Sequence, residues 1–198
     1  MISKIKTLED ISVEHKRVLV RVDINSDIRQ GKLIPSERLT APLQTIQELQ
    51  NKKAKVVLLA HQGRPGSKDF ISLRPHANFL KSKIRNFQCI PDVIGIKAIK
   101  AIATLKPGHV LLLDNVRFVK DELNYNSKKP NKLITQLAPL FDYYINDAFS
   151  ASHRAHASIV GFPKFLPSAI GRVFEGELKA VQKLNVKNAL FILGGSKP

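Results

Sequence analysis

The side chains best suited to chemistry are basic, and each stands shortly after an apolar run. Arg38 follows the run ending in Asp23-Ile24-Asn25, and Arg64 lies in His61-Gln62-Gly63-Arg64-Pro65-Gly66. Arg117 lies in Asn115-Val116-Arg117-Phe118, Arg154 in the polar stretch 146–156, and Lys197 in Gly194-Gly195-Ser196-Lys197. A guanidinium offers a planar fork that grips phosphate or carboxylate at two points. Four such forks on one rim suit a compact ligand carrying several negative charges. A chain with 32 lysines and arginines also places one in each loop by chance. The repeated position after successive apolar runs favours convergence, because binding residues concentrate on such loops.

Other constellations carry less. His153 and His156 have an i, i+3 spacing that could serve a metal, but no carboxylate or thiolate stands at ligand spacing, so they read as hydrogen-bonding loop residues and no metal site is expected. His61 is as well suited to holding its loop as to touching a ligand. The Gly194-Gly195-Ser196-Lys197 turn lacks the spacing of a P-loop, and neither G-x-G-x-x-G nor G-x-S-x-G occurs. Cys89, within an apolar run, reads as a small buried hydrophobe. Lys52-Lys53 and Lys128-Lys129 read as solvated surface charge.

The elements that must position these residues alternate in type. Apolar runs predict strands over 17–23, 55–60, 87–90, 109–114, 143–145 and 189–193. Three- and four-residue apolar spacing predicts helices over 39–53, 72–84, 94–105, 131–140 and 174–184. Pro42 and Pro75 fall in first turns, where a missing N–H costs little, and Ser72 is placed to cap the second helix. The polar stretch 121–130 reads as a mobile loop. This βαβ alternation predicts an α/β fold: a parallel β-sheet flanked by helices on both faces, a Rossmann-like three-layer αβα arrangement. In such sheets ligands bind beyond the carboxyl ends of the strands, where the arginine-bearing loops would gather.

Composition narrows the class. A length of 198 residues predicts one domain with a sizeable core, and 43% hydrophobic with 24% charged residues argues against disorder. The longest apolar runs are strand-sized, well short of a membrane span, and the first residues lack the apolar core of a signal peptide. One cysteine excludes an internal disulfide framework and points to a reducing, cytoplasmic setting. The net charge of +16 favours anionic partners.

Five stretches in order, 17–25, 60–66, 111–118, 146–158 and 192–197, resemble the N-terminal half of phosphoglycerate kinase, with wording closest to the archaeal branch. That resemblance implies reversible phosphoryl transfer between 1,3-bisphosphoglycerate and ADP, giving 3-phosphoglycerate and ATP with Mg2+. It makes residues 1–198 the 3-phosphoglycerate-binding domain, and the C-terminal nucleotide-binding domain is absent from the chain. It implies that Asp23 and Asn25 orient the glycerate hydroxyl and carboxylate, with His61 and Arg64 beside them. Arg117 and Arg154 would hold the phosphate end. Arg38 would stabilise the phosphoryl group in flight, and Lys197, in the nucleotide-side turn with Gly194 and Gly195, would guide it. Asp114 stands where the family usually has glutamate, Ile24 replaces a phenylalanine, and Ser26-Asp27 replaces Val-Pro. None of these changes removes a charged contact.

The expectation is therefore an excised or truncated half that binds 3-phosphoglycerate weakly, does not turn over, and holds no cofactor tightly. Two other classes compete: a basic nucleic-acid-binding module and a stand-alone sensor of a phosphorylated metabolite. The charge is evenly spread, with 18 basic and 9 acidic residues in 1–99 and 14 and 7 in 100–198. No basic run is interleaved with stacking aromatics, which disfavours specific nucleic-acid binding.

Overall fold

A computed structural model describes residues 5–123 and 125–183. In chain order the strands are β1 (Arg17–Val22), β2 (Ile28–Arg29), β3 (Lys32–Leu33), β4 (Lys55–Leu59), β5 (Phe87–Cys89), β6 (Val110–Leu112), β7 (Tyr143–Asp147) and β8 (Ser168–Ile170). The helices are α1 (Glu37–Thr40), α2 (Leu43–Asn51), α3 (Arg74–Lys81), α4 (Ile96–Ala103), α5 (Lys132–Leu137) and α6 (Arg172–Gln182). Six strands form one sheet in the order β5-β6-β4-β1-β7-β8, with every neighbouring pair parallel. From β1 the chain builds outward through β4, then returns to place β7 on the other side. The strand order therefore reverses at β1, and the loops after β1, β4 and β7 meet at that switch point.

Strand periodicity divides the core into two layers. Val18, Val20, Val56, Leu58, Val110 and Leu112 pack on one face with Leu39, Ile46 and Leu49 of α1 and α2 and Ala77 and Leu80 of α3. Leu19, Val57, Leu59 and Leu111 point to the other face, against Ala98 and Ile102 of α4 and Leu133, Ile134 and Leu137 of α5. The central strands are buried on both sides, so they read as unbroken apolar runs rather than alternating ones. Truncating any of these leucines to alanine costs about 2–5 kcal/mol through lost transfer energy and the cavity left behind.

The helix boundaries correct the sequence reading locally. Pro42 is not inside a continuous helix: it separates the single turn α1 from α2 and serves as the N-cap of the latter. Ser72 precedes the α3 cap, where its Oγ accepts from Arg74 N at 3.2 Å and donates to Asp114 Oδ2 at 3.0 Å. Asp114 also takes the N–H groups of Leu73 and Asn115 through Oδ1, so the shorter side chain at this position is structural. The sequence reading missed the β2–β3 hairpin, turned through Gln30 and Gly31 in left-handed conformations, and edge strand β8. It also started α6 two residues late. Cys89 is exposed on edge strand β5, because β5 pairs only with β6 and its outer side is uncovered. The stretch 121–130 is not uniformly a loose loop. It begins in a 3₁₀ turn, Lys120–Glu122, in which Glu122 is wholly buried, and Asp121 accepts from Lys132 N at 2.7 Å. The strand predicted over 189–193 lies outside the described residues. No described helix is long and apolar enough to cross a membrane.

Candidate anion site at the carboxyl rim

The loop after β1 is built around Asp23. Its Oδ1 accepts from Asn25 N at 3.1 Å, and its Oδ2 accepts from Arg38 Nη1 at 3.1 Å and from Ser150 Oγ. Asn25 in turn accepts from Gly63 N through Oδ1 at 2.9 Å. Asp23 and Asn25 thus join the loops that follow β1, β4 and β7. Arg38 remains about half exposed, with its guanidinium held against Asp23.

The loop after β4 is fixed from below by Gln62, which is fully buried. Its Oε1 accepts from Ser26 N and from His76 Nε2, both at 3.0 Å, and its Nε2 donates to Ser26 O at 2.9 Å. Asn115, also buried, donates through Nδ2 to Gln62 O at 2.7 Å and Ile71 O at 2.9 Å. Gly63 turns the chain at φ +65°, and a Cβ there would collide with the Asp69 carbonyl. Arg117 Nη1 donates to Gly63 O.

Beyond these anchors lies an open cavity of about 670 Å³ lined by Arg64, Pro65, Arg117, Leu123, His153, Arg154 and His156. No carboxylate stands among the described lining residues. Burial, with Arg154 and Arg21 nearby, lowers the Arg117 guanidinium to about 10. Burial, reinforced by Arg117 and Arg154, takes His156 down to about 4, so its ring is neutral at physiological pH. The lining cations repel one another, and an anion between them would relieve that repulsion. His153 accepts from Arg154 Nε at 3.3 Å.

His61 stands beside this cavity, almost fully buried, with Arg21 Nη2 2.8 Å from its Nδ1. Burial and the Arg21 charge hold His61 far below the ordinary histidine range. Sequence reasoning missed Arg21, Glu122, Ser158 and Gln62. Strand alternation points Arg21 to the same face as Leu19, and it ends among Ser158 Oγ at 2.9 Å, Val22 O and His61. Glu122 accepts from both the N–H and the Oγ of Ser158. The available signal was Arg21 itself, since a charged residue within an apolar strand needs a buried partner.

The cavity and its floor therefore bring together Arg64, Arg117, Arg154 and His61. Asp23, Asn25 and Arg38 form an adjoining cluster, linked to the first through Gly63. Gly194, Gly195 and Lys197 lie outside the described residues.

A parallel α/β sheet that gathers the guanidiniums of Arg64, Arg117 and Arg154 around one cavity at its switch point defines a domain of the doubly wound type. The chain belongs to the phosphoglycerate kinase family, whose family-wide pattern matches residues 8–198. Phosphoglycerate kinase of Methanopyrus kandleri is 45% identical over 203 residues, spanning 100% of this chain and 50% of that protein. The Saccharolobus solfataricus phosphoglycerate kinase is 46% identical over 201 residues, spanning 98% of this chain and 49% of that protein. The crystal structure of phosphoglycerate kinase from Pyrococcus horikoshii OT3 superposes with a TM-score of 0.85 at 37% identity, covering 90% of this chain and 45% of that one. The chain thus spans about half the length of the relatives it matches. These relatives give the nucleic-acid-binding and sensor alternatives no support.

Proposed function

We propose that this chain is the glycerate-binding half of a cytoplasmic phosphoglycerate kinase, which moves a phosphoryl group reversibly between 1,3-bisphosphoglycerate and ADP to give 3-phosphoglycerate and ATP. The observation that carries this reading is the cavity lined by Arg64, Arg117 and Arg154 without a carboxylate among them. Arg117 and Arg154 hold the phosphate end of the ligand, with Arg64 beside them. Asp23 and Asn25, fixed by the β1 and β4 loops, orient the hydroxyl and carboxylate, and His61 supports that end. Arg38 is reserved for the group in transfer: its guanidinium is about half exposed and held by Asp23 through Nη1, a contact that a phosphoryl oxygen can replace. Phosphoryl transfer needs positioning and charge stabilisation more than a covalent nucleophile, and this half supplies both for one substrate.

The described residues contain no group of three or more His, Cys, Asp or Glu that could hold a cation. We assign the nucleotide side to Gly194, Gly195 and Lys197 and to the second domain that the full-length relatives have room for. Mg2+, when bound with ATP or ADP, neutralises phosphate charge there. Residues 1–198 alone then bind 3-phosphoglycerate without turnover.

Calorimetric titration of residues 1–198 with 3-phosphoglycerate tests this. Saturable 1:1 binding that weakens about tenfold or more in Arg154→Ala supports the reading. Steep, sequence-independent DNA binding with no heat from 3-phosphoglycerate would overturn it. ATP turnover by residues 1–198 alone would reject the division of labour.

A further inference from the structure

Four side chains beneath the arginine cavity form a chain whose hydrogen-bond directions have one solution. Glu122, fully buried, accepts from Ser158 N at 2.8 Å through Oε2 and from Ser158 Oγ at 2.7 Å through Oε1. The same Oγ lies 2.9 Å from Arg21 Nε. A guanidinium only donates, so Oγ accepts from Arg21 and must send its own hydrogen to Glu122. Arg21 Nη2 lies 2.8 Å from His61 Nδ1, and the same rule makes Nδ1 an acceptor. The remaining proton of a neutral imidazole is then on Nε2.

We propose that Glu122 and Ser158, acting through Arg21, are positioning residues that hold His61 as a neutral Nε2–H donor. Three features make the chain stiff. Ser158 sits in a π-helical turn, Ala157–Gly161, the kind of widened turn that often marks a functional position. Its carbonyl is pinned by Tyr144 OH at 2.7 Å. Burial raises the Glu122 carboxyl above the usual carboxylate range, against the opposing pull of Arg21 and the two Ser158 donors. Both carboxyl oxygens already accept, so the ionised form fits the geometry and supplies the countercharge that Arg21 needs in the core. The consequence for binding is selective. A neutral donor attracts a ligand oxygen without adding to the repulsion among Arg64, Arg117 and Arg154. This last step rests on the cavity being the glycerate site; the state of His61 does not.

Long-range 1H–15N spectra of the 15N-labelled 198-residue protein, with His61 assigned by its loss in His61→Gln, test the proposal. The expected result is a bare Nδ1 and a protonated Nε2 from about pH 6 to 8. In Ser158→Ala and the isosteric Glu122→Gln, the His61 ring should move to mixed tautomers, and 3-phosphoglycerate affinity should fall about tenfold. A proton on Nδ1 in the unaltered protein overturns the proposal, and that measurement needs no variant to fold. Unchanged His61 signals in both folded variants also overturn it, whatever happens to affinity. A protein with the Nε2–H ring that does not bind 3-phosphoglycerate would instead reject the glycerate reading and leave the His61 assignment standing.

Discussion

Asn25 and Arg117 grip the same residue, Gly63, from opposite ends. Asn25 Oδ1 takes its N–H at 2.9 Å, and Arg117 Nη1 donates to its carbonyl. The residue between them has a left-handed backbone and no room for a Cβ. The loops after β1, β4 and β6 are therefore locked by one glycine, and the cavity inherits its shape from it.

Gly63→Ala should cost about 1–3 kcal/mol, the usual range for enforced backbone strain. It should also loosen Arg117. Urea unfolding reads the first effect, and 3-phosphoglycerate titration reads the second. An alanine variant of unchanged stability and affinity would show that the loop yields freely.

Anions should stabilise the fold through the arginine cavity. At about 100 times its dissociation constant, a ligand of the native state adds about 2.7 kcal/mol. For a chain of this size that raises the thermal midpoint by about 5–10 °C. Differential scanning calorimetry with 3-phosphoglycerate should show this rise in the unaltered protein. Arg117→Met and Arg154→Met should each lose most of it.

Arg172 binds three carboxylates: Glu48 through Nε at 2.7 Å, Glu175 through Nη1 at 2.6 Å, and Glu9 through Nη2 at 3.3 Å. This half-buried fork ties the start of α6 to α2 and the N-terminal segment. Arg172→Ala should cost about 1–2 kcal/mol, more than an isolated surface pair. Arg172→Lys should recover little, since a point charge cannot replace the fork. Chemical denaturation of the two variants decides.

Acid should weaken the fold through His76. Its Nε2 donates to Gln62, and burial lowers its pKa to about 4 against the opposing effect of the Ile24 backbone. The unfolded chain takes up a proton near pH 6.5 and the folded one does not. The stabilising contribution is therefore complete above about pH 6.5 and is lost as pH falls toward about 4. Near pH 5 the loss is about 2 kcal/mol. Asp147 works in the opposite sense, because burial raises it to about 6, so its contribution fades as pH rises through that value. Unfolding curves from about pH 7 to 4.5 should flatten in His76→Gln and steepen in Asp147→Asn.

The central sheet was legible in the sequence because burial on both faces turns strands such as Val56–Leu59 into unbroken apolar runs. The loops that follow were legible because the cavity-lining arginines stand beside those runs. Glu122 was not. It sits in a polar stretch, and its partner Ser158 is 36 positions away, so nothing local signals its burial. β8 escaped notice because Ser168-Ala169-Ile170 is a short edge strand with weak patterning. The start of α6 was obscured because arginine opposes the dipole at a helix N-terminus, and only the distant Glu48 makes Arg172 favourable there.

α6 is supported unevenly. None of its residues is buried, yet its first turn is clamped: Asp147 Oδ1 accepts from Val173 N and Phe174 N, Thr45 accepts from Arg172 N, and Glu48 grips the Arg172 fork. Among the described residues it is held like a cantilever, fixed at its root with no buried residue along its span. A load on the outer turns reaches the body mainly through that root. Asp147 is the last residue of β7, directly before the loop that carries Ser150, His153 and Arg154. The root of this helix and the cavity-lining loop therefore share one anchoring residue, Asp147.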